Sequence, residues 1–258
     1  MQTPGRRFTR RRFLGASVAA LVAAFAAEAW AFEPRRLRIT KLRLSDKPRA
    51  RFVVWSDFHY EGDADYAGKI VATINGLKPD FVCFLGDLVH TQKNLEASLE
   101  FVAQIRSPVY GVAGNHDYGP FASFTSHFRT FEATGGAWLM NRSVRPAGGH
   151  VELCGSAERY ISFVPAESEL PRVLLTHYPI AADETNGRKF SVVLAGHSHG
   201  GQIRLPGFGA LLLPSLVGRY ELGSYATPAG PLYVTSGVGT YRVPLRFNCP
   251  PEIVVVEV

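Results

Sequence analysis

Five short segments of the sequence place side chains that can bind a metal ion directly after an apolar run. Those side chains are Asp57, His59, Asp87, Asn115, His177, His197 and His199. Carboxylate and amide oxygens combined with imidazole nitrogens suit Mn, Fe or Zn better than Ca²⁺, which prefers an all-oxygen site. The residue types therefore indicate a centre for divalent transition metals.

The apolar runs that precede these side chains have the composition of strands buried on both faces. They cover 51–56, 81–85, 109–113, 173–176 and 192–195. In open α/β sheets, ligands bind beyond the C-terminal ends of the strands, so segments distant in sequence can converge on one site. Glycines just before Asp87, Asn115 and His197 allow the tight turns that such strand exits need.

Each segment taken alone has an ordinary explanation. A D-x-H triplet occurs by chance, and Gly-Asp is a common turn dipeptide. A lone histidine such as His177 is more often a core or surface residue than a ligand. All the segments together, in this order, are what a centre with two metal ions requires.

The segments between the strands have the spacing of amphipathic helices at 66–77 and 94–105. Alternating strands and helices predict βαβ units with right-handed crossovers. Further strands are expected at 37–44, 138–144, 151–155, 232–235 and 253–258, the second and third of them forming a hairpin. Most of 200–239 is expected to form long loops. The length suits one catalytic domain over 32–258.

The motifs D-x-H, G-D, G-N-H-D, H and G-H-x-H, which span residues 57–199, resemble the signature of the calcineurin-like metallophosphoesterases. This resemblance implies an α/β fold, a four-layer αββα sandwich of two mixed sheets flanked by helices. It also implies two divalent metal ions as cofactors, with Mn favoured over Fe or Zn. One ion is expected on Asp57, His59, Asp87 and His199, and the other on Asp87, Asn115, His177 and His197, with Asp87 bridging both.

The same resemblance implies that a hydroxide shared by the two metals attacks a phosphodiester or pyrophosphate bond. His116 is expected beside the metals as the general acid, with Asp117 orienting its imidazole. Two alternatives stay open: a phosphomonoesterase acting on small organic phosphates, and a catalytically silent metal-containing binding protein of the cell envelope. A structural metal site needs no general acid, which argues against the second alternative.

Two C-terminal stretches, 196–207 and 246–253, resemble a bacterial branch of exported or membrane-associated phosphodiesterases. That branch is related to enzymes that cleave the pyrophosphate of UDP-diacylglucosamine. The sequence departs from it at His90, where an acidic residue is more usual after Gly-Asp-Leu-Val. A phosphodiester is the expected substrate, which lipid-linked and nucleotide-linked compounds both supply, and phospholipid head groups, wall polymers and nucleotides all stay open.

Four residues outside the ligand set are candidates for contacting substrate. His90 and Arg204 are the first choices, and Arg219 and Arg242 are further candidates for binding a second phosphate or a carboxylate. An ordinary surface role is the alternative for each of them. The apolar run 208–217 is either a lip that contacts lipid beside the cleft or the packing of a long loop.

The remaining histidines and the cysteines are expected to have no chemical role. His127 and His150 are expected to be solvated surface residues. Cys83, Cys154 and Cys249 lack the C-x-x-C spacing of a zinc site or redox centre. Cys83 lies in an apolar run and is expected to be buried.

The first 31 residues have the composition of an export signal. The stretch 9–15 (TRRRFLG) is similar to the twin-arginine motif, an apolar run follows at 16–27, and 29–31 (AWA) is an A-x-A cleavage pattern. Cleavage before Phe32 is expected. An uncleaved membrane tether is the alternative, although 16–27 alone is shorter than the ~20 residues that span a bilayer.

The export signal also determines which partners are expected. It holds five arginines and one acid, so its removal lowers the net charge from +6 to +2, and no specific nucleic-acid binding is expected. The twin-arginine translocase is the expected export partner. The expected location is the periplasm or the outer face of the cytoplasmic membrane, with peripheral membrane contact.

Overall fold

The computed structural model describes residues 10–118, 123–157 and 168–258, and all structural statements here concern those residues. The α-helices are α1 (Arg10–Ala27), α2 (Ala64–Gly76), α3 (Leu95–Ala103) and α4 (Thr125–Ala133). The strands are β1 (Arg38–Arg43), β2 (Arg51–Trp55), β3 (Val82–Phe84), β4 (Val109–Gly111), β5 (Ala137–Trp138), β6 (Arg142–Val144), β7 (Glu152–Ser156), β8 (Arg172–Thr176), β9 (Val192–Ala195), β10 (Arg204–Leu205), β11 (Gly209–Ala210), β12 (Gly223–Thr227), β13 (Gly230–Val234) and β14 (Glu252–Glu257).

Two six-stranded sheets form the centre of the fold. The first has the strand order β1-β14-β2-β3-β4-β5, and the second has the order β12-β13-β9-β8-β7-β6. Both are mixed: β2 to β5 run parallel beside an antiparallel β14, and β13, β9, β8 and β7 run parallel between antiparallel edge strands. The predicted pair of mixed sheets is confirmed.

Strand β2 shows why the central strands are continuous apolar runs. Successive side chains of a strand point to opposite faces of its sheet. Val53 and Trp55 join the core beneath the helices, whereas Phe52 and Val54 join the core between the two sheets. Because both faces are covered, the sequence needs apolar residues at every position instead of every second one.

The outer layers of the two sheets differ. Helices α2, α3 and α4 cover the first sheet through Ile70, Val102 and Phe131. On the outer face of the second sheet, the described residues form a 3₁₀ helix, Pro179–Ala182, and loops that contribute Phe190 and Tyr220 to the core. The four layers are therefore present, but this fourth layer is much thinner than the first.

Most predicted elements are confirmed, with one clear error. The predicted single strand over 138–144 is two strands, because β5 belongs to the first sheet and β6 to the second. The Leu139 N–H still bonds to the Gly111 carbonyl at 2.7 Å, and Asn141, with φ 54°, lies where the chain passes between the sheets. Asparagine tolerates this left-handed conformation better than most residues. Helix α4 and strands β10 to β12 were not predicted.

Helix α1 continues beyond its α-helical part. A π-helical turn, Glu28–Phe32, and a 3₁₀ turn, Glu33–Arg35, extend it, so that Phe13–Arg35 is long and apolar enough to cross a membrane by length and composition. A signal sequence near the N-terminus passes the same test. The helical turns continue past Ala27 to Arg35, so the helical stretch is longer than the apolar run 16–27.

Candidate active site

The parallel strands deliver the predicted ligands to one place. Strands β2, β3 and β4 pair in parallel, and Asp57, Asp87 and Asn115 follow them at the same edge of the first sheet. Strands β8 and β9 do the same for His177 and His197 in the second sheet. The two edges adjoin, so the sheets bring all seven predicted ligands into one cluster.

Five of these seven residues have a left-handed backbone conformation, with φ between 43° and 68°. They are Asp57, His59, Asp87, His197 and His199. Such conformations are uncommon for residues other than glycine and cluster at functional sites, where surrounding structure holds them. Backbone hydrogen bonds between neighbouring segments help to hold these conformations. The Asp57 N–H donates to Gly86 O at 2.9 Å, and the His59 N–H donates to Asp87 O at 3.1 Å.

One group of ligand atoms consists of Asp57, His59 and His199, all buried. The Nε2 atoms of the two histidines are 3.1 Å apart, and His199 Nε2 is 3.5 Å from Asp57 Oδ1. Two imidazole nitrogens this close, beside a carboxylate, need a cation or a proton between them. The group therefore fits a metal ion.

The second group consists of Asp87, His177 and His197, also buried. His177 Nε2 is 3.0 Å from His197 Nδ1, 3.3 Å from Asp87 Oδ2 and 3.1 Å from Asn115 Oδ1. Asp87 Oδ2 is also 3.4 Å from His59 Nε2 in the first group. One carboxylate oxygen thus lies between the two groups, which is the position of a ligand that bridges two ions.

Backbone carbonyls fix the orientation of two of these imidazoles. His177 Nδ1 lies 2.8 Å from Leu85 O, and His197 Nε2 lies 2.7 Å from Ser215 O. When one ring nitrogen carries the proton and donates it to a carbonyl, the other is left with a free lone pair. In both residues the ring nitrogen directed at the cluster is the one that does not contact the carbonyl, and this is the nitrogen that would bind a metal ion.

The charges around Asp87 favour a cation. Burial would raise the pKa of Asp87, but the imidazoles of His177 and His59 hold it well below its usual range. Burial would lower the pKa of His177, but the Asp87 carboxylate reverses this and raises it to about 9. Opposite charges at this distance stabilise each other's ionised forms. The site thus stabilises positive charge next to Asp87.

Burial is the main influence on the pKa values of the other predicted ligands that bear titratable groups. Burial lowers the pKa of His59 to about 3 and that of His197 to about 4, and it holds that of His199 well below its usual range. Neutral imidazole is the form that binds metals. Burial raises the pKa of Asp57 to about 6, and a bound cation would favour its ionised form.

A loop that the sequence did not indicate encloses Asp57. The Val238 N–H bonds to Ser56 O at 2.9 Å, and a Cβ added at Gly237 would lie 2.7 Å from the Asp57 Cβ. The side chain of Arg246, which is fully buried, holds this loop by donating to Ser236 O at 2.8 Å and to Gly239 O. The predicted strand 232–235 leads into this loop, but no ligand-type side chain follows it in the sequence.

His116 and Asp117 lie at the site but not in the predicted relationship. Both Asp117 oxygens accept backbone N–H groups, those of Asp87 and Gly114 at 2.8 Å and that of Leu88 at 2.9 Å. The prediction that Asp117 orients the His116 imidazole is therefore wrong, because its carboxylate instead fixes the turn that carries Asp87. The His116 ring lies 5.0 Å from the His59 ring and faces the cavity.

A cavity of about 560 Å³ opens directly over the ligand cluster. Its floor includes His59, Asp87 and His116, and one wall is the apolar stretch 211–216. The ring of Tyr241, which lines the cavity, lies within 6.0 Å of the rings of four histidines, His59, His90, His116 and His199. The cavity therefore combines a polar floor with an apolar wall, and its volume exceeds that of a single phosphate.

Of the four predicted substrate contacts, two lie at the site and two form ion pairs elsewhere. His90 borders the site, with its ring 5.0 Å from the ring of His116. Arg204 does not line the cavity, because its guanidinium pairs with Glu221 at 3.1 Å and with Gly200 O at 2.9 Å. Arg219 faces Asp183 at 3.7 Å. Arg242 does line the cavity, so it is the better placed arginine.

One of the histidines predicted to be solvated is buried. His127 is 1% exposed, lies on α4 and packs against Phe124 and Trp138 with ring centroids 5.2 and 4.7 Å away. The prediction failed because helix α4, whose buried side carries His127 and Phe131, was not predicted. His150 is exposed, as expected. The three cysteines are all buried and free, Cys83 among them as predicted.

Comparison with known proteins agrees with this geometry. Residues 50–201 match the family described as calcineurin-like phosphoesterase. The chain is 29% identical to the "Uncharacterized metallophosphoesterase YkuE" of Bacillus subtilis over 97% of each protein. It is 29% identical to "Phosphodiesterase YaeI" of Escherichia coli over 96% of this chain and 98% of that protein. A dimetal phosphatase structure from Danio rerio aligns with a TM-score of 0.47 at 10% identity, covering 74% of this chain and 88% of that one. The match over residues 50–201 shows that the chain belongs to the calcineurin-like phosphoesterase family, and the chain is a phosphoesterase of that family.

Proposed function

We propose that the protein hydrolyses a phosphodiester or pyrophosphate bond with two divalent metal ions, Mn²⁺ in preference to Fe or Zn. The observation that carries this proposal is the position of Asp87 Oδ2, 3.4 Å from His59 Nε2 and 3.3 Å from His177 Nε2. One oxygen placed between two His/Asp groups supports a dinuclear centre over a single-ion site. The phosphodiesterase name of the YaeI relative supports a diester as substrate.

The ligand assignment follows the two groups. Asp57, His59 and His199 would hold one ion, and Asn115, His177 and His197 the other, with Asp87 shared between them. Two ions in such an arrangement supply an activated water and neutralise charge on the non-bridging phosphoryl oxygens. The chain's part is to fix these ligands, which the backbone bonds to His177 and His197 accomplish.

Three residues at the cavity act on the substrate itself. His116 faces the cavity beside the cluster and would donate a proton to the leaving oxygen. Arg242, exposed at the mouth, would bind a second phosphate or a carboxylate of the substrate. The Tyr241 ring lies 5.2 Å from the His116 ring and 5.1 Å from the Arg242 guanidinium, between these two, and would shield one side of the site from water.

The first experiment is hydrolysis of bis-p-nitrophenyl phosphate by protein stripped of metal and then given Mn²⁺, Fe²⁺ or Zn²⁺. We expect activity to return with Mn²⁺ and Asp87→Asn to lower it by about a thousandfold or more. Asp46→Asn is the matched control, because Asp46 is an exposed carboxylate in a loop before β2. Faster cleavage of p-nitrophenyl phosphate than of the diester would instead identify a phosphomonoesterase.

The proposal also places the reaction outside the cytoplasm. The twin-arginine pattern at 9–15 supports export through the twin-arginine translocase, a route that carries folded proteins and so allows metals to be loaded first. Replacing Arg10 and Arg11 together with lysine should retain the protein in the cytoplasm. Unchanged export of this variant, measured by protease accessibility in spheroplasts, would contradict this route.

A further inference from the structure

The mouth of the cavity carries three exposed apolar side chains, which we call the apolar rim: Phe208, Leu211 and Leu212. They are 86%, 53% and 82% exposed. Phe208 is in the turn of the β10–β11 hairpin, and Leu211 and Leu212 also line the cavity. Large apolar side chains grouped on a surface mark a contact site for a partner or a membrane.

The segment that follows α1 is docked against the catalytic domain. The carboxylate of Glu33, which is buried, accepts the Asn248 N–H at 2.9 Å and the Cys249 N–H. Ala29 is also buried, and its carbonyl accepts the Arg246 N–H at 3.0 Å. Ala29 and Glu33 are therefore packed against the domain on either side of the expected cleavage point, whereas Trp30 and Phe32 between them are exposed.

The apolar rim lies next to this docked segment. Phe247 contacts Phe25 of α1, with ring centroids 4.3 Å apart, and its carbonyl accepts the Arg204 N–H at 2.9 Å. Ile203 forms a bridge to Phe247, and its own carbonyl accepts the Leu211 N–H at 3.0 Å. Two steps of about 4.8 Å between adjacent paired segments separate Phe247 from Leu211. The base of α1 and the mouth of the cavity thus lie on the same side of the protein.

Helix α1 itself fits a lipid environment. The helical stretch Phe13–Arg35 is long and apolar enough to cross a membrane by length and composition. Its part before the docked segment, 13–28, spans about 24 Å, most of the thickness of a bilayer's hydrocarbon core of about 30 Å. Leu21 and Val22, near its middle, are 71% and 63% exposed. Five arginines precede or begin the helix, which would keep its N-terminus in the cytoplasm and its C-terminal end outside.

We propose that α1 is retained as a membrane anchor and that α1 and the apolar rim together form one membrane-facing surface. The cavity then opens against the outer surface of the lipid bilayer. Resting on the phosphodiesterase function proposed above, this makes the substrate a phosphodiester carried by a lipid, with its apolar part against the rim. Arg242 forms no salt bridge among the described residues, and it is placed beside the rim to meet the second charged group.

Insertion of the rim is testable without any activity. The full-length chain is placed in vesicles of phosphatidylethanolamine and phosphatidylglycerol with an environment-sensitive fluorophore on Phe208→Cys. Lys47→Cys is the matched control, because Lys47 is exposed in the loop before β2, at the end of the first sheet opposite the ligands. We expect a blue-shifted emission that brominated lipids quench at 208 and no change at 47. An equally solvated label at both positions would overturn the proposal.

Two further measurements separate this proposal from the proposed function. Protein recovered from cell membranes should retain residues 10–32, whereas a chain that begins at Phe32 would overturn the retained anchor.

Phe208→Ser should lower hydrolysis of a vesicle-embedded phosphodiester by about tenfold, the effect of losing one buried aromatic side chain. It should leave soluble bis-p-nitrophenyl phosphate turnover unchanged. Equal turnover of both substrates by this variant and the wild type would count against the rim. Failure of bis-p-nitrophenyl phosphate hydrolysis in the wild type would count only against the proposed function.

Discussion

The metal-ligand cluster and the rim of the cavity are built in opposite ways. Apart from Asn115, the cluster is buried, and its side chains follow parallel strands of the two mixed sheets. The rim is exposed and comes from loops between 200 and 250, where Phe208 is 86% exposed. Rigid strand ends fix the type of reaction, whereas loops determine which substrate reaches it. The two regions should therefore respond differently to substitution.

The largest effect is expected at the floor of the cavity. His116→Gln should lower phosphodiester hydrolysis by about 10²- to 10⁴-fold, the range for loss of a general acid, and leave metal content unchanged. His150→Gln is the matched control, because His150 is exposed. His116, His59 and His90 could together hold an ion. Loss of metal from His116→Gln would therefore make His116 a ligand and contradict its assignment as acid.

A smaller effect is expected where the 236–239 loop meets the cluster. In Gly237→Ala, the added Cβ would lie 2.7 Å from the Asp57 Cβ, so Asp57 should shift and metal affinity should fall by about 10- to 100-fold. Gly187→Ala separates contact from backbone strain, because Gly187 has a similar φ, 78° against 67°, but nothing within 4 Å of the added atom. Equal metal affinity in the two variants, measured by competition with a chelator, would show that the loop does not support Asp57.

Substitutions of Arg242 and Arg204 should differ by about tenfold in their effect on KM. Arg242→Gln should raise KM by about tenfold with little change in kcat, because the lost charge-assisted hydrogen bond contributes to binding. Arg204→Gln should leave KM unchanged, since Arg204 is paired with Glu221. Arg242→Lys should recover part of the loss. If KM instead rises in Arg204→Gln and not in Arg242→Gln, Arg204 contacts the substrate, as the sequence predicted.

Substitution of His127, which belongs to neither region, is expected to leave turnover unchanged. Burial lowers its pKa from 6.5 to about 4. The unfolded state therefore binds more protons between these values, and the free energy of unfolding should fall by about 1.4 kcal/mol per pH unit as the pH drops through that range. His127→Phe should flatten this dependence in urea unfolding at pH 7 and 4.5, whereas His150→Phe should not. An unchanged slope would show that His127 is protonated in the folded protein.

Sequence reasoning identified the cluster because its signals are local. Asp57, Asp87 and His197 each follow an apolar run, and a buried strand is recognisable from a few residues. The pairing of such strands then brings their C-terminal ends together, so spacing within each motif is enough to predict the site. The buried strands were predicted for the same reason, since two-sided burial gives continuous apolar runs, whereas the four-layer arrangement of two mixed sheets came from the family resemblance.

The parts that were missed depend on contacts between distant segments. Arg246 and Gly237 matter because a loop returns to Asp57, and Tyr241 is held over the histidines through bonds between its backbone and the Gln202 side chain. Neither the type of these residues nor their spacing in the sequence indicates their role. Asp117 was assigned to the wrong partner because sequence adjacency to His116 does not show that its oxygens reach the amides of Asp87 and Leu88.

The most direct test of the account is the electron paramagnetic resonance spectrum of the Mn²⁺-loaded protein with its metal content measured alongside. If Asp87 bridges two ions about 3.5–4 Å apart, the spectrum should show an exchange-coupled pair and two equivalents of metal per chain. Asp87→Asn should remove the coupling. A wild-type protein with one equivalent of metal and the six-line signal of isolated Mn²⁺ would contradict the dinuclear centre.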